Sequence, residues 1–111
     1  MSWANEVIAT LERDGKAVCR PRGNSMSPLI KSGEEVHLIK PDAKTRITKG
    51  DVVLCRYGAK HYLHLVMKVG MNKRKEIYLI GNNRGRQNGW VERELIFGLR
   101  VDKPEETPDG A

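Results

Sequence analysis

Asp51-Val52-Val53-Leu54-Cys55-Arg56-Tyr57-Gly58-Ala59-Lys60-His61-Tyr62-Leu63-His64-Leu65-Val66-Met67-Lys68-Val69 is the stretch that decides the fold. It reads as two strands, Asp51 to Tyr57 and His61 to Val69, with a hairpin loop over Tyr57-Gly58-Ala59-Lys60-His61. Similar segments lie on either side. Ala17-Val18-Cys19-Arg20 is a short strand ending at Pro21, and Glu35 to Lys40 alternates Val36 and Leu38 against Glu35 and His37. Glu76 to Ile80 pairs with the long strand across Gly70-Met71-Asn72-Lys73-Arg74-Lys75, and Glu94 to Val101 makes the last strand. A helical period is confined to Trp3–Arg13, where Trp3, Val7 and Leu11 recur at spacing four beside Ala4 and Ile8. Ser2 is placed to cap that helix and Gly15 to end it. The pattern predicts a mostly β, single antiparallel domain with one short N-terminal helix. The helix falls within residues 1–15 and the β domain within 16–101. Residues 102–111 form an acidic, Pro-rich tail, expected to be disordered.

At 111 residues the chain holds one domain with a modest core. No window approaches the roughly 18 consecutive apolar residues of a membrane span. Met-Ser-Trp-Ala-Asn-Glu has no basic region before an apolar run, so no signal peptide is expected. Cys19 and Cys55 are therefore expected as reduced, buried thiols in a cytoplasmic protein. The net charge is +6, and the tail carries Asp102, Glu105, Glu106 and Asp109 against Lys103, leaving about +9 on the body. Such a body suits nucleic acid, anionic lipid or acidic protein. No helix-turn-helix, zinc-finger or basic-aromatic RNA motif narrows the choice to nucleic acid. Three His and two Cys show no metal-ligand spacing, and Gly81 to Gly89 lacks a phosphate-loop signature. Neither a metal nor a cofactor is expected. The oligomeric state is not written in the sequence.

The candidate chemistry lies at Gly23-Asn24-Ser25-Met26-Ser27-Pro28-Leu29, with Gly33 shortly after. A hydroxyl that attacks a carbonyl needs an exposed, rigid position beside backbone N–H groups that can face an oxyanion. Ser25 sits between a permissive glycine and a proline-stiffened segment. The same composition also marks ordinary turns. A serine nucleophile further needs a base within hydrogen-bond reach.

Several segments, in order, resemble the LexA/signal peptidase superfamily of serine proteases. Gly23-x-Ser25-Met26-x-Pro28 is similar to its nucleophile box, and Ser32-Gly33-Glu34-Glu35-Val36 to the strand start that follows, with Glu34 where Asp is usual. Lys49-Gly50-Asp51-Val52-Val53 resembles the second turn-and-strand signature, and Leu63-His64-Leu65-Val66 the segment that supplies the base. Gly81-Asn82-Asn83 and Gly89-Trp90-Val91 resemble later turns, and Phe97-Gly98-Leu99-Arg100-Val101 the closing strand. The likeness spans about residues 21–101.

The resemblance implies a partly barrel-like β domain and a soluble serine endopeptidase that cleaves an extended protein or peptide segment after a small residue. Ser25 would be the nucleophile. The base position holds His64, as in the archaeal and endoplasmic-reticulum branch, where the bacterial branch has Lys. A neutral imidazole suits that task near pH 7. Met26 and Ser27 support the site, Ser27 as a second oxyanion donor or a turn-stabilising hydroxyl. Asn82 stands where the His branch has an orienting Asp; it can hold a ring but cannot stabilise imidazolium by charge. His61 and His37 compete for the base role, Lys68 ranks below them, and Lys60 reads as an exposed loop residue. Alternation places His61 on the face opposite His64, and Lys68 on the same face about 13 Å away. Two readings of another class remain open: a non-catalytic protein-binding module on this fold, and a nucleic-acid-binding domain using Lys73, Arg74, Lys75, Arg84 and Arg86.

Overall fold

The hairpin of residues 51–69 forms the middle of the sheet in the computed structural model, which describes residues 3–23, 26–27 and 29–102. The elements are α1 (Trp3–Asp14), β1 (Lys16–Cys19), β2 (Val36–Ile39), β3 (Val52–Tyr57), β4 (Lys60–Asn72), β5 (Lys75–Gly81), β6 (Gln87–Glu92), a 3₁₀ turn at Arg93–Leu95, and β7 (Ile96–Val101). All pairings are antiparallel, in the order β1-β2-β7-β3-β4-β5-β6. The protein is mostly β, with seven strands in one open sheet and one short helix. The expectations for Ser2 and for the tail beyond Asp102 lie outside the described residues.

Two cores form because alternate side chains leave opposite faces of each strand. Leu54 and Leu63 join Leu38, Val36 and Val52 beneath the helix, where Ala4 and Leu11 are buried and Val7 and Ile8 pack. A helix of 12 residues is marginal alone, so this burial holds it. Gly98 on β7 lets it come close: a Cβ there would stand 3.0 Å from Leu11 Cδ1. The Gly15 N–H, at φ 77, donates to Leu11 O and closes the helix. Trp3, read as part of the apolar stripe, is instead 46% exposed. Val53, Cys55, Val66, Tyr78, Ile80 and Val91 face the second core. There the sheet curls until Tyr57 at the end of β3 lies over Gly89 of β6, where a Cβ would stand 2.5 Å from its ring.

The β4–β5 connection is tighter than the six-residue loop expected. Asn72 pairs with Lys75, and Lys73 and Arg74 take φ 48 and 69, a two-residue turn of the primed kind. The sheet also contains a strand, β6, in a segment read as turns.

Three bulges interrupt the ladders. The register shifts between Val66 and Lys68, between Leu54 and Cys55, and between Ile80 and Gly81. They leave Met67, Phe97 and Asn88 as the extra residues. A bulge bends its strand and re-aims a side chain.

Candidate functional site

His64 sits within β4 opposite Val53 and is partly buried. The bulge on β6 delivers its partner: Ile80 pairs with Gly89 and Gly81 with Gln87, so Asn88 is left out of the ladder. Its Oδ1 lies 2.8 Å from His64 Nδ1. A carbonyl oxygen only accepts, so Nδ1 carries the proton and Nε2 holds the basic lone pair. Tyr62 packs beside the ring at 5.0 Å between centroids. Burial pushes the imidazole below the usual histidine range, opposed by the hydrogen bond to Asn88. The ring is therefore neutral at pH 7.

The loop between β1 and β2 is clasped at several points. Gly33 N donates to Pro21 O at 2.7 Å, Gly23 N to Ser32 Oγ at 3.0 Å, and Ile30 N to Met26 O at 2.9 Å. Met26 and Ile30 sink into the core under the helix. Asn83 Nδ2, from the β5–β6 turn, donates to Ser27 O at 3.1 Å and ties the loop to the far end of the sheet. Positive φ at Gly23 (111) and Gly33 (80) makes glycine the natural residue at both bends.

A cavity of about 160 Å³ lies between this loop and β4, lined by both. Gly23 and Met26 reach it from the loop, and His61, Tyr62, Leu63 and His64 from the strand. Asn24, Ser25 and Pro28 lie outside the described residues, the expected nucleophile among them. Gly23 precedes it by two residues and Met26 follows it directly. A cavity of this size holds one or two side chains and is smaller than drug-sized pockets of roughly 300–1,000 Å³.

Asn82 does not hold the imidazole. Its Oδ1 accepts from Arg84 N at 2.9 Å and Arg86 N at 3.0 Å, which turns it into the cap of its own loop. Asn88, six residues on, takes the ring. Met26 is buried against the cavity, and Ser27 is half-buried with its carbonyl held by Asn83.

The competitors separate less simply than alternation suggests. Four consecutive β4 residues, His61 to His64, line the cavity. His61 is thus a lining residue too, with its ring 5.9 Å from that of Phe97. Lys68 follows the bulge at Met67 and lines a different groove with Arg46, Thr48 and Lys49. His37 Nε2 lies 2.6 Å from Glu35 Oε1 on β2, and Lys60 is exposed at the hairpin turn.

Both cysteines are buried. Burial pushes the Cys19 thiol up to about 11 and the Cys55 thiol up to about 12, so neither is a thiolate nucleophile. Among the described residues no three His, Cys, Asp or Glu converge to hold a metal ion, and no helix is long and apolar enough to cross a membrane.

Lys49-Gly50-Asp51 braces β4 beside the site. Gly50 N donates to Val66 O, Val66 N to Asp51 O, and Thr48 N to the Asp51 carboxylate, all at 2.8 Å. Compared with known protein families and with curated proteins, the chain matches no family model and no curated protein.

Proposed function

We propose that this protein is a serine peptidase of the LexA/signal peptidase type, with Ser25 as nucleophile and His64 as general base. The single observation that carries this reading is the shared cavity: the residues around Ser25 and the His64 ring line one space. Nε2 takes the Ser25 Oγ proton as the oxygen attacks a peptide carbonyl. The oxyanion is met by the backbone N–H of Ser25, with the Ser27 hydroxyl as a second donor. The imidazolium returns its proton to the leaving amine, and water then hydrolyses the acyl-enzyme by the same route in reverse. The substrate is an extended protein segment cut after a small residue. Reduced thiols suit action in the cytoplasm.

Substituting Ser25→Ala tests this. Cleavage should vanish while the far-ultraviolet dichroism and melting temperature hold. Cleavage by the alanine variant at the wild-type rate would refute the mechanism.

A binding module on the same fold is the second reading, and the neutral Asn88 favours it. An amide orients the ring but gives no charge to stabilise imidazolium. Such a module would bind a peptide without cutting it and would resist an acylating probe. A nucleic-acid partner at Lys73, Arg74, Lys75, Arg84 and Arg86 would show affinity falling steeply with salt.

A further inference from the structure

The cavity beside His64 has an uneven charge. Arg22 and Lys31 line it, both exposed, together with His61 and His64, and among the described residues no carboxylate does. Arg22, Trp3 and Pro21 continue into an adjoining groove of about 300 Å³, again with no acidic residue among the described ones. The other grooves differ. Asp14 lines the one over β1 and β2, Glu34, Glu35 and Asp102 the one at the end of β7, and Glu76 the one beside Lys68.

Among the described residues, some surface cations elsewhere are held by carboxylates. Arg13 pairs with Asp14, Arg20 with Glu35, Lys40 with Glu12, and Arg100 with Glu34. Among the described residues, Arg22 and Lys31 make no ion pair. As exposed residues lining the cavity, they place two positive charges at its edge.

From this we infer that the cleft selects an acidic segment, with Arg22 and Lys31 as specificity-determining residues for a Glu- or Asp-bearing peptide. This rests on the reading of Ser25 and His64 as the cleaving pair. The aromatic face of Trp3, 46% exposed at the rim, offers the apolar contact for the peptide's remaining side chains. Exposed ion pairs are individually weak, so the selectivity is modest and sensitive to salt.

The test separates binding from cleavage. Two alanine-rich decapeptides, identical except for two Glu in one and two Gln in the other beside the central alanine, are titrated into the full chain carrying Ser25→Ala. Fluorescence anisotropy of a peptide-borne dye reads the affinity. The Glu peptide should bind about threefold to tenfold tighter at low salt, and the advantage should shrink at 0.5 M salt. Arg22→Gln combined with Lys31→Gln should erase it while leaving the Gln peptide's affinity unchanged. A control, Lys73→Gln, should leave it in place.

Equal affinity for both peptides, or an advantage that survives the double substitution or falls equally in the Lys73→Gln control, overturns the inference. Cleavage by the wild-type chain is scored apart. Charge-selective binding without cleavage sinks the peptidase reading and keeps the cleft's selectivity; charge-blind cleavage does the reverse.

Discussion

Replacing Asn88 by Asp keeps the shape of the His64 partner and adds one negative charge. The Oδ1–Nδ1 separation of 2.8 Å places the carboxylate against the ring. Two unit charges about 4 Å apart attract by about 4 kcal/mol at an effective dielectric near 20. The cavity opens to solvent, and the new carboxylate is itself partly desolvated, so this figure is a ceiling. An opposite charge at that range raises a basic group by about one to two pH units, or about 1.4–2.7 kcal/mol in favour of imidazolium. The His64 Cε1–H titration, followed by proton NMR, should therefore move up by that amount in Asn88→Asp. Asn88→Ala should move it the other way, because the hydrogen bond that His64 donates to Asn88 holds the pKa up against burial. On the proposed mechanism, where peptidase activity is measured above the new midpoint, the Asp variant should turn over faster by up to about tenfold to a hundredfold, since imidazolium forms as Ser25 loses its proton. An unmoved His64 midpoint in both variants would show that Asn88 does not hold the ring.

The remaining predictions concern the loop, the hairpin and pH. Asn83→Ala removes the tie to Ser27 O and should cost about 0.5–1.5 kcal/mol of stability in urea unfolding. On the proposed mechanism its kcat should fall by more than its KM changes, because the segment of Met26 and Ser27 loses its tie to the β5–β6 turn. Replacing Lys73-Arg74 by Asn-Gly relieves two non-glycine residues at positive φ and should raise the melting temperature by several degrees, about 1–2 kcal/mol. Burial holds the folded His64 pKa below its unfolded value, so the unfolded chain binds this proton more tightly. The stabilising contribution of neutral His64 is complete above the unfolded pKa of about 6.5 and is lost as pH falls through that value toward the lower folded pKa. His64→Gln should flatten the unfolding free energy over that window.

The central hairpin was legible because two short, largely apolar runs, Val52 to Cys55 and Leu63 to Val66, flank the turn at Gly58, and the helix because Ala4, Leu11 and their neighbours keep a helical period. His64 was legible as a candidate from its place in β4. Asn88 was not. Asn88-Gly89 carries the strongest short turn signal in the chain, yet it forms a bulge within β6. What overrides the local preference is tertiary: Tyr57 occupies the space a Gly89 side chain would need, and β5 supplies ladder partners on both sides of the bulge. A bulge shifts the parity of every residue after it, so counting along β4 past Met67 could not place Lys68. Asn82 failed as a ring partner for a local reason, since two backbone N–H groups of its own turn saturate its oxygen. Lys73 and Arg74 carry no turn signature, so the tight hairpin they form was hidden in a basic run.

The most direct measurement is covalent labelling of the full chain with an acylating or phosphonylating serine probe, mapped by mass spectrometry. One adduct on Ser25 is predicted, lost in Ser25→Ala and slowed at least about a hundredfold in His64→Ala, with the loss of the general base. Its rate in the wild type should rise with pH through a single step below the ordinary histidine range, since burial lowers His64. No adduct on Ser25, or labelling at an unchanged rate in His64→Ala, would contradict the Ser25–His64 mechanism.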